Sequence, residues 1–294
     1  MKTTTFRDME CIIVQNDNLQ LLVTRSIGPR IISLRFKQGE NLFAELPDFV
    51  TERPDGKIYH FYGGHRLWIS PEDPIGSYSL DDQPVEISQT DNGLLIRKPV
   101  EPESGIEKSI LLNLDTERAR VTLTHWLTNR NPAPLECASW AITQLKMGGV
   151  AILPQARIET GLLPNRVLSF WPYTDIASPQ LTFGNNFILL RADLQKPFKV
   201  GFPNPRGWMA YWLDGVLFVK RAAFDPQGIY SDFGSSSECY CNRQFLELET
   251  MTPILPIPPN ESIVQVETWE LYADVPLPKD EEMAQSIVNQ IGLE

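Results

Sequence analysis

The sequence predicts an all-β protein in which two large antiparallel sheets pack face to face. Short runs rich in β-branched and aromatic residues are separated by turns of Gly, Pro, Asn and Asp along most of the chain. Helical spacing is confined to the C-terminus. Neither a linker nor a change in composition divides the chain, and no repeat has the spacing of a solenoid or a propeller. We therefore expect one sandwich domain over residues 1–294.

The predicted strands begin near the N-terminus. Residues 11–14 and 19–24 flank a turn of Asn and Asp, a pattern typical of a hairpin. The polar, turn-rich residues 46–60 predict a long loop. The runs 121–128 and 135–145 surround Asn-Arg-Asn-Pro, so we expect them to pair as a long antiparallel hairpin. Further strands are predicted at 30–36, 84–88, 94–97, 106–112, 181–192, 207–213, 215–221, 244–250 and 263–272.

A short helix is predicted at the C-terminus. Asp280 is a suitable N-cap residue, and the two acidic residues after it suit the positive end of a helix dipole. Met283, Ile287 and Ile291 recur at every fourth position and form an apolar stripe. We expect this helix to cover the edge of a sheet.

Charge and composition exclude several classes of function. The net charge is −11 and the basic residues are dispersed, whereas nucleic acids and anionic membranes need a concentrated basic surface. The first residues lack the apolar segment of a signal peptide, and no apolar run is long enough to cross a bilayer. We expect a cytoplasmic protein with reduced cysteines and a small-molecule ligand. No cofactor is predicted, and the oligomeric state stays open.

An acidic strand near the C-terminus is the most informative stretch. In Gln244–Thr250, alternation places Glu247 and Glu249 on one face of a mostly apolar strand. Two carboxylates are unfavourable in a dry core. They belong either on a solvated outer face or in the mouth of a pocket. In the second case Glu249 is a catalytic carboxylate.

A second stretch surrounds a Gly-Gly pair with aromatic, basic and acidic residues. Glycine lets a ligand approach the backbone closely. Arg66 carries a fork of donors that suits vicinal hydroxyls, His65 can pass a proton near neutral pH, and Trp68 offers a flat face to a sugar ring. The alternative is a strand edge in which Arg66 pairs with Glu72 or Asp73.

Two groups of residues have the right types for a metal site but not the right spacing. His60, His65 and Asp73 match no familiar ligand pattern. Cys239-Tyr240-Cys241 lacks the second pair that a zinc site usually has. No metal site is therefore predicted.

Two further runs offer candidate ligand contacts. His125 lies on the apolar face of its run with Leu123 and Leu127, which suits a buried histidine with hydrogen-bond partners as well as a ligand contact. Trp140 and Gln144 share one face of the next run. Such a pair can line a polyol pocket or belong to an ordinary core.

Several of these segments together resemble the galactose mutarotase-like superfamily, the β-supersandwich proteins that include aldose 1-epimerases. Residues 28–34 are similar to an early glycine-led strand of that family, and residues 61–69 are similar to its aromatic segment with a sugar-binding arginine, here Arg66. Glu249 and the proline-rich residues after it resemble the catalytic glutamate and its trailing loop. An uncharacterised branch with Gly-Gly-His-Arg-Leu-Trp and Trp-Ala-Ile-Thr-Gln is more similar still.

The resemblance implies a β-supersandwich with a sugar site on its concave face and an acid–base mechanism. A glutamate takes the proton of the anomeric hydroxyl, a histidine protonates the ring oxygen, and the opened sugar recloses as the other anomer. Where the family has its two histidines, this chain has residues 93–95 and 139–141, without histidine. We predict Glu249 as the base and His65 as the substitute acid. The predicted ligand contacts are Arg66, Trp68, Trp140, Gln144, His125 and Asp73.

Two other functions stay open. The missing motif histidines favour a non-catalytic sugar-binding protein of the same fold. A polysaccharide hydrolase or lyase would need Glu249 and a second carboxylate across the sugar, such as Glu72 or Asp73.

Overall fold

The computed structural model describes residues 1–91 and 93–293, and it consists mainly of two large antiparallel sheets. The predicted all-β sandwich is confirmed. In this part of the chain the first sheet has twelve strands, which are β1 (Lys2–Phe6), β2 (Met9–Gln15), β3 (Leu19–Thr24), β4 (Arg30–Phe36), β5 (Glu45–Glu52), β6 (Ile58–Ser70), β11 (Leu135–Leu145), β13 (Ser169–Phe170), β16 (Phe198–Phe202), β19 (Ser237–Cys241), β20 (Leu246–Met251) and β21 (Leu255–Ile257).

The second sheet has ten strands in the same described ranges, which are β7 (Glu86–Thr90), β8 (Gly93–Arg97), β9 (Ile106–Leu114), β10 (Arg120–Asn129), β12 (Val150–Pro154), β14 (Leu181–Phe183), β15 (Phe187–Arg191), β17 (Trp208–Leu213), β18 (Val216–Ala222) and β22 (Ser262–Tyr272). The helical segments are α1 (Ser231–Gly234) and α2 (Glu281–Ile291). Within the described residues, neither is long and apolar enough to cross a membrane.

Apolar side chains from both sheets meet between them. Trp269 of β22 lies edge-on to Phe43 and Phe218, with ring centroids 5.7 and 5.6 Å apart. All three side chains are buried. Burying one such side chain contributes roughly 1.5–3 kcal/mol relative to leaving it exposed. This apolar core holds the two sheets against each other.

The pairing of β10 and β11 differs from the sequence prediction. β10 pairs with β9 and β22 in the second sheet, whereas β11 pairs with β6 and β20 in the first. The predicted hairpin of 121–128 and 135–145 is therefore wrong, because the turn between these runs carries the chain from one sheet to the other. From Cys137 to Leu145 every residue of β11 is buried, as expected of a strand in the centre of a sheet.

The predicted loop at 46–60 is also wrong in part. Residues of β5 pair with the first half of β6, for example Val50 with His60. The polar composition of this segment concealed the pairing, because a hairpin at the side of a sheet is solvated and needs few apolar residues.

Helix α2 begins as predicted but covers a different surface. The Asp280 side chain accepts a hydrogen bond from the backbone N–H of Met283 at 2.8 Å, which caps the helix. Ile287 packs in one cluster with Trp208 and Val219 of the second sheet. The helix therefore lies on the outer face of that sheet rather than along an edge.

Candidate functional site

The outer face of the first sheet carries the predicted aromatic and charged side chains on its central strands. Because side chains alternate along a strand, Arg66 and Trp68 of β6 share one face. The register places Trp68 beside Trp140 and Arg66 beside Ile142 of β11. On the other side of β11, Ile142 is beside Glu249 of β20.

The same face continues across two more strands. Glu247 of β20 is beside Tyr240 of β19, which is beside Lys199 of β16. Glu249 of β20 is beside Glu238 of β19. The central strands thus bring three carboxyl groups and a lysine to one surface.

A pocket of about 390 Å³ opens on this surface. Ordinary small-ligand pockets occupy roughly 300–1,000 Å³. The charged residues in its lining are Arg66, Glu72, Lys199 and Glu247. Eight lining residues are aromatic, namely Phe49, Phe61, Trp68, Tyr78, Trp140, Tyr173, Tyr240 and Phe245. Flat rings and a few polar groups suit a ligand with apolar C–H faces and several hydroxyls.

A buried ion pair joins Arg66 and Glu247 at this pocket. Arg66 Nη2 donates to Glu247 Oε1 at 3.0 Å. The guanidinium also lies over the Trp68 ring, 4.3 Å from its centroid, so the arginine is held by charge and by an aromatic face. Neither Glu72 nor Asp73 pairs with Arg66 among the described residues, so the strand-edge alternative does not apply.

Glu247 combines burial with a small opening to the pocket. Burial raises its pKa to about 7, Arg66 opposes that rise, and Glu249 adds to it. The Glu247 side chain is 10% exposed to solvent. No described residue donates a hydrogen bond to its Oε2. A carboxyl group in this state exists in both protonation forms near neutral pH.

Lys199 lines the pocket and contacts two buried acidic side chains. Burial and the neighbouring Glu249 raise the pKa of one of them, Glu238, well above its usual range. The Lys199 ammonium lies 2.6 Å from Glu238 Oε2 and 3.1 Å from Glu249 Oε2. It also lies over the rings of Trp140 and Trp171, 4.9 and 4.7 Å from their centroids. Burial alone would lower the pKa of Lys199, but Glu249 and Glu238 raise it well above its usual value. The lysine is therefore a fixed cation, not a free amine.

Glu249 lies beneath the pocket lining instead of in it. The residue is fully buried, and its Oε2 accepts from Trp140 Nε1 at 2.9 Å and from Lys199. Its Oε1 has no hydrogen-bond partner in the described chain. The predicted base thus shares the correct strand face but is covered by Trp140 and Lys199, while Glu247 meets Arg66.

His65 and His125 lie between the sheets, on the opposite face of β6 from Arg66. Both are fully buried, with their Nε2 atoms 2.9 Å apart. His125 Nδ1 donates to the carbonyl of Gln265 at 3.2 Å, so its Nε2 accepts from His65. His65 Nδ1 then accepts from the Thr143 hydroxyl at 3.0 Å. Burial lowers the pKa of both histidines, so both are neutral, and neither lines the pocket.

Lys220 completes this inter-sheet network. Its ammonium lies 3.1 Å from Glu267 Oε1 and donates to Thr143 Oγ1 at 3.0 Å. The metal-ligating atoms of His65, His125 and Glu267 lie within 4.8 Å of one another. The possible ligand atoms already have protein partners, because Lys220 and Thr250 contact Glu267 Oε1 and the two histidines bond to each other, so the group is a hydrogen-bond network and not a set of free metal ligands.

The remaining predicted contacts lie outside the pocket lining. Gln144 is fully buried and neither of its amide atoms has a partner in the described chain. Asp73 is exposed, and its Oδ1 accepts from the backbone N–H of Ile75 at 3.0 Å and of Gly76 at 2.5 Å, which makes it a turn residue. Arg66, Trp68 and Trp140 are the predicted contacts that do line the pocket.

Two charged groups of the pocket, Glu247 and Lys199, could not be singled out from the sequence. Alternation predicts the face of Glu247, but nothing in the sequence distinguishes it from Glu249. Lys199 lies between Phe198 and Val200 in a short run that matches no functional motif. A lone lysine in an apolar run is the pattern that could have indicated it, because a buried lysine needs an acidic partner.

The comparisons with known proteins support the fold. No family model and no curated protein sequence matches the chain. A TPR-domain containing protein from Parabacteroides distasonis superposes with a TM-score of 0.64 and 15% identity over 92% of this chain, which spans 48% of that protein. A proposed aldose 1-epimerase from Escherichia coli K12 superposes with a TM-score of 0.55 and 12% identity, over 90% of this chain and 99% of that protein. A galactose mutarotase-like protein from Lactobacillus casei superposes with a TM-score of 0.51 and 12% identity, over 89% of this chain and 100% of that protein.

These similarities define the class of fold. The protein shares the two-sheet β-sandwich fold of these structures, and the predicted resemblance is confirmed at the level of the fold. At 12–15% identity the similarity carries no activity from those proteins to this chain.

Proposed function

We propose that the protein binds a sugar in the aromatic pocket and interconverts its anomers, with Glu247 as the proton-transfer group. One observation carries the proposal. A carboxyl group with a pKa of about 7 lines a pocket walled by aromatic rings and is oriented by an arginine. A general acid–base catalyst works best when its pKa is near the working pH.

The chemistry can be written with a single carboxyl group. In its protonated form, Glu247 donates the Oε2 proton to the ring oxygen of the sugar, while Oε1 takes the proton of the anomeric hydroxyl. The bond between C1 and the ring oxygen breaks, and C1 becomes an aldehyde carbon. Rotation about C1–C2 and reversal of the two transfers give the other anomer. The carboxyl group ends as it began, so no second acid is needed.

The positions of the other candidates support this assignment. Glu249 is covered by Trp140 and Lys199, and His65 lies on the opposite face of β6. Two oxygens of one carboxyl group can serve the ring oxygen and the anomeric hydroxyl together, because both sugar oxygens are bonded to C1. Arg66 holds the acceptor oxygen, Oε1, in place.

Exchange NMR on the α and β anomers of neutral hexoses tests the proposal. Wild-type protein should accelerate the exchange of a hexose that binds. Glu247→Gln cannot transfer protons and should reduce the acceleration about 100-fold or more. Glu136→Gln, at the exposed start of β11 and outside the pocket lining, is the matched control and should keep the acceleration. Full acceleration by a folded Glu247→Gln variant would remove Glu247 from the chemistry.

A second function is a non-catalytic sugar-binding protein. The observation that favours it is that none of the three histidines lines the pocket and both pocket cations are already ion-paired. Saturable binding of a sugar whose anomers exchange at the uncatalysed rate would decide for this function.

A further inference from the structure

We infer that the ligand is a neutral oligosaccharide whose reducing-terminal sugar, the unit with the free anomeric hydroxyl, occupies the aromatic pocket and whose other units lie in an adjoining groove. The inference rests on the proposed sugar site and extends it to the class of ligand. It depends on three features of the surface beside β5 and β6.

The first feature is the continuity of the pocket with a second depression. A groove of about 740 Å³ lies beside the pocket. Thr51, Glu72 and Tyr78 line both. A ligand confined to one sugar would use only the pocket of about 390 Å³, while a chain of sugars can pass over the shared residues into the groove.

The second feature is the fixed boundary between pocket and groove. The Tyr78 hydroxyl donates to Glu72 Oε1 at 2.7 Å. The Tyr78 ring packs against Trp68, with centroids 4.4 Å apart, and lies edge-on to Tyr59 at 5.5 Å. The ring is therefore held by the pocket wall and lines the groove as well. Pro54 and Pro74 add apolar surface to the groove, which suits the C–H faces of successive sugars.

The third feature is the charge of the groove. Its one basic residue, Arg53, is fully engaged in the described chain. Its guanidinium contacts Asp55 Oδ2 at 2.7 Å, Glu103 Oε1 at 3.2 Å and the carbonyl of Tyr78 at 3.0 Å. Glu52 and Glu72 are the other charged residues there. A phosphate or uronate would meet carboxylates without a free cation, so the groove favours uncharged sugars.

Calorimetric titration with a length series tests the inference. The probes are neutral gluco- and galacto-oligosaccharides of one to four units, with a trisaccharide that carries a uronate outside its reducing unit as the charged comparison. We expect affinity to rise about tenfold or more between one unit and three, and the charged trisaccharide to bind more weakly than the neutral one. Equal affinity at every length, or preference for a charged sugar, would overturn the inference. Absence of binding by every sugar would instead remove the proposed function.

Two groove variants make the test specific. Pro54 and Pro74 are exposed and line the groove but not the pocket. Pro54→Trp and, independently, Pro74→Trp should abolish the gain from added units and leave monosaccharide affinity within twofold. Pro258→Trp, also exposed but in neither depression, is the matched control. An unchanged length dependence in both groove variants would contradict the inference.

Discussion

Arg66 Nη2 lies 3.0 Å from Glu247 Oε1, although a whole strand, β11, separates the strands that carry these two residues. The ion pair is almost entirely enclosed, with 3% and 10% of the two side chains exposed. Burial and the neighbouring Glu249 raise the pKa of Glu247 while Arg66 lowers it, and the balance leaves it at about 7. This relationship sets the charge of the pocket near neutral pH.

Removing the arginine should destabilise the fold and raise the pKa of Glu247 further. Arg66→Leu leaves a buried carboxyl without its cation, and breaking a buried pair costs about 3–5 kcal/mol. Urea unfolding at pH 8 measures the loss. The double variant Arg66→Leu/Glu247→Gln should recover a large part of it, because no buried charge is left. A single variant as stable as the wild type would show that the pair contributes nothing.

The raised pKa of Glu247 predicts a specific pH dependence of stability. The folded state holds the Glu247 proton up to about pH 7, whereas the unfolded state releases it near 4.5, so stability is lost between these values as pH rises. The charged groups that act on this carboxyl are Arg66, Glu249 and Lys199.

Glu247→Gln should remove this part of the pH dependence. Relative to the wild type, the variant should gain up to about 3 kcal/mol of unfolding free energy between pH 4 and pH 8. Unfolding curves of both proteins at the two pH values give the difference. A constant difference between the proteins would mean that Glu247 ionises normally.

Lys199 should be essential for the stability of the carboxyl cluster. Lys199→Met removes the cation that contacts Glu238 and Glu249. Burial raises the pKa of Glu238 well above its usual range, so the charge left without a partner is that of Glu249, and we expect a loss of about 3–5 kcal/mol in urea unfolding. Lys199→Met/Glu249→Gln should be less destabilised than the single variant, because one buried charge is removed. Additive effects of the two substitutions would disprove their coupling.

His65 should matter for stability and not for proton transfer. His65→Gln disturbs a buried hydrogen bond to His125 and should cost about 1–3 kcal/mol. Anomer exchange per folded molecule should stay within twofold of the wild type, because His65 faces away from the pocket. Loss of exchange in a folded variant would instead support the acid role that the sequence suggested.

The fold class could be predicted from the sequence, and so could the residues that share one face of the acidic strand. Alternation in β20 correctly put Glu247 and Glu249 together. Which of them meets Arg66 depends on the stagger of β6 and β20 across β11, where Arg66 is beside Ile142 and Glu247 is beside Gln144. No local pattern encodes that stagger, since it follows from long-range pairing.

The placement of the histidines failed for a related reason. His65 and Arg66 are adjacent, so they must point to opposite faces of β6. The sequence alone does not tell which face is the core and which is the pocket, because both faces of this strand are apolar or aromatic. Likewise, the chain crosses between the sheets after Asn129, and the sequence of that turn resembles an ordinary hairpin turn.

A crystal structure of the protein soaked with a neutral hexose that it binds tests the central claim most directly. We predict a sugar ring among Trp68, Trp140 and Tyr78, with its anomeric and ring oxygens within hydrogen-bond distance of the Glu247 carboxyl, about 2.5–3.0 Å. A sugar bound on another surface, or one in this pocket with its anomeric carbon directed away from Glu247, would contradict the claim.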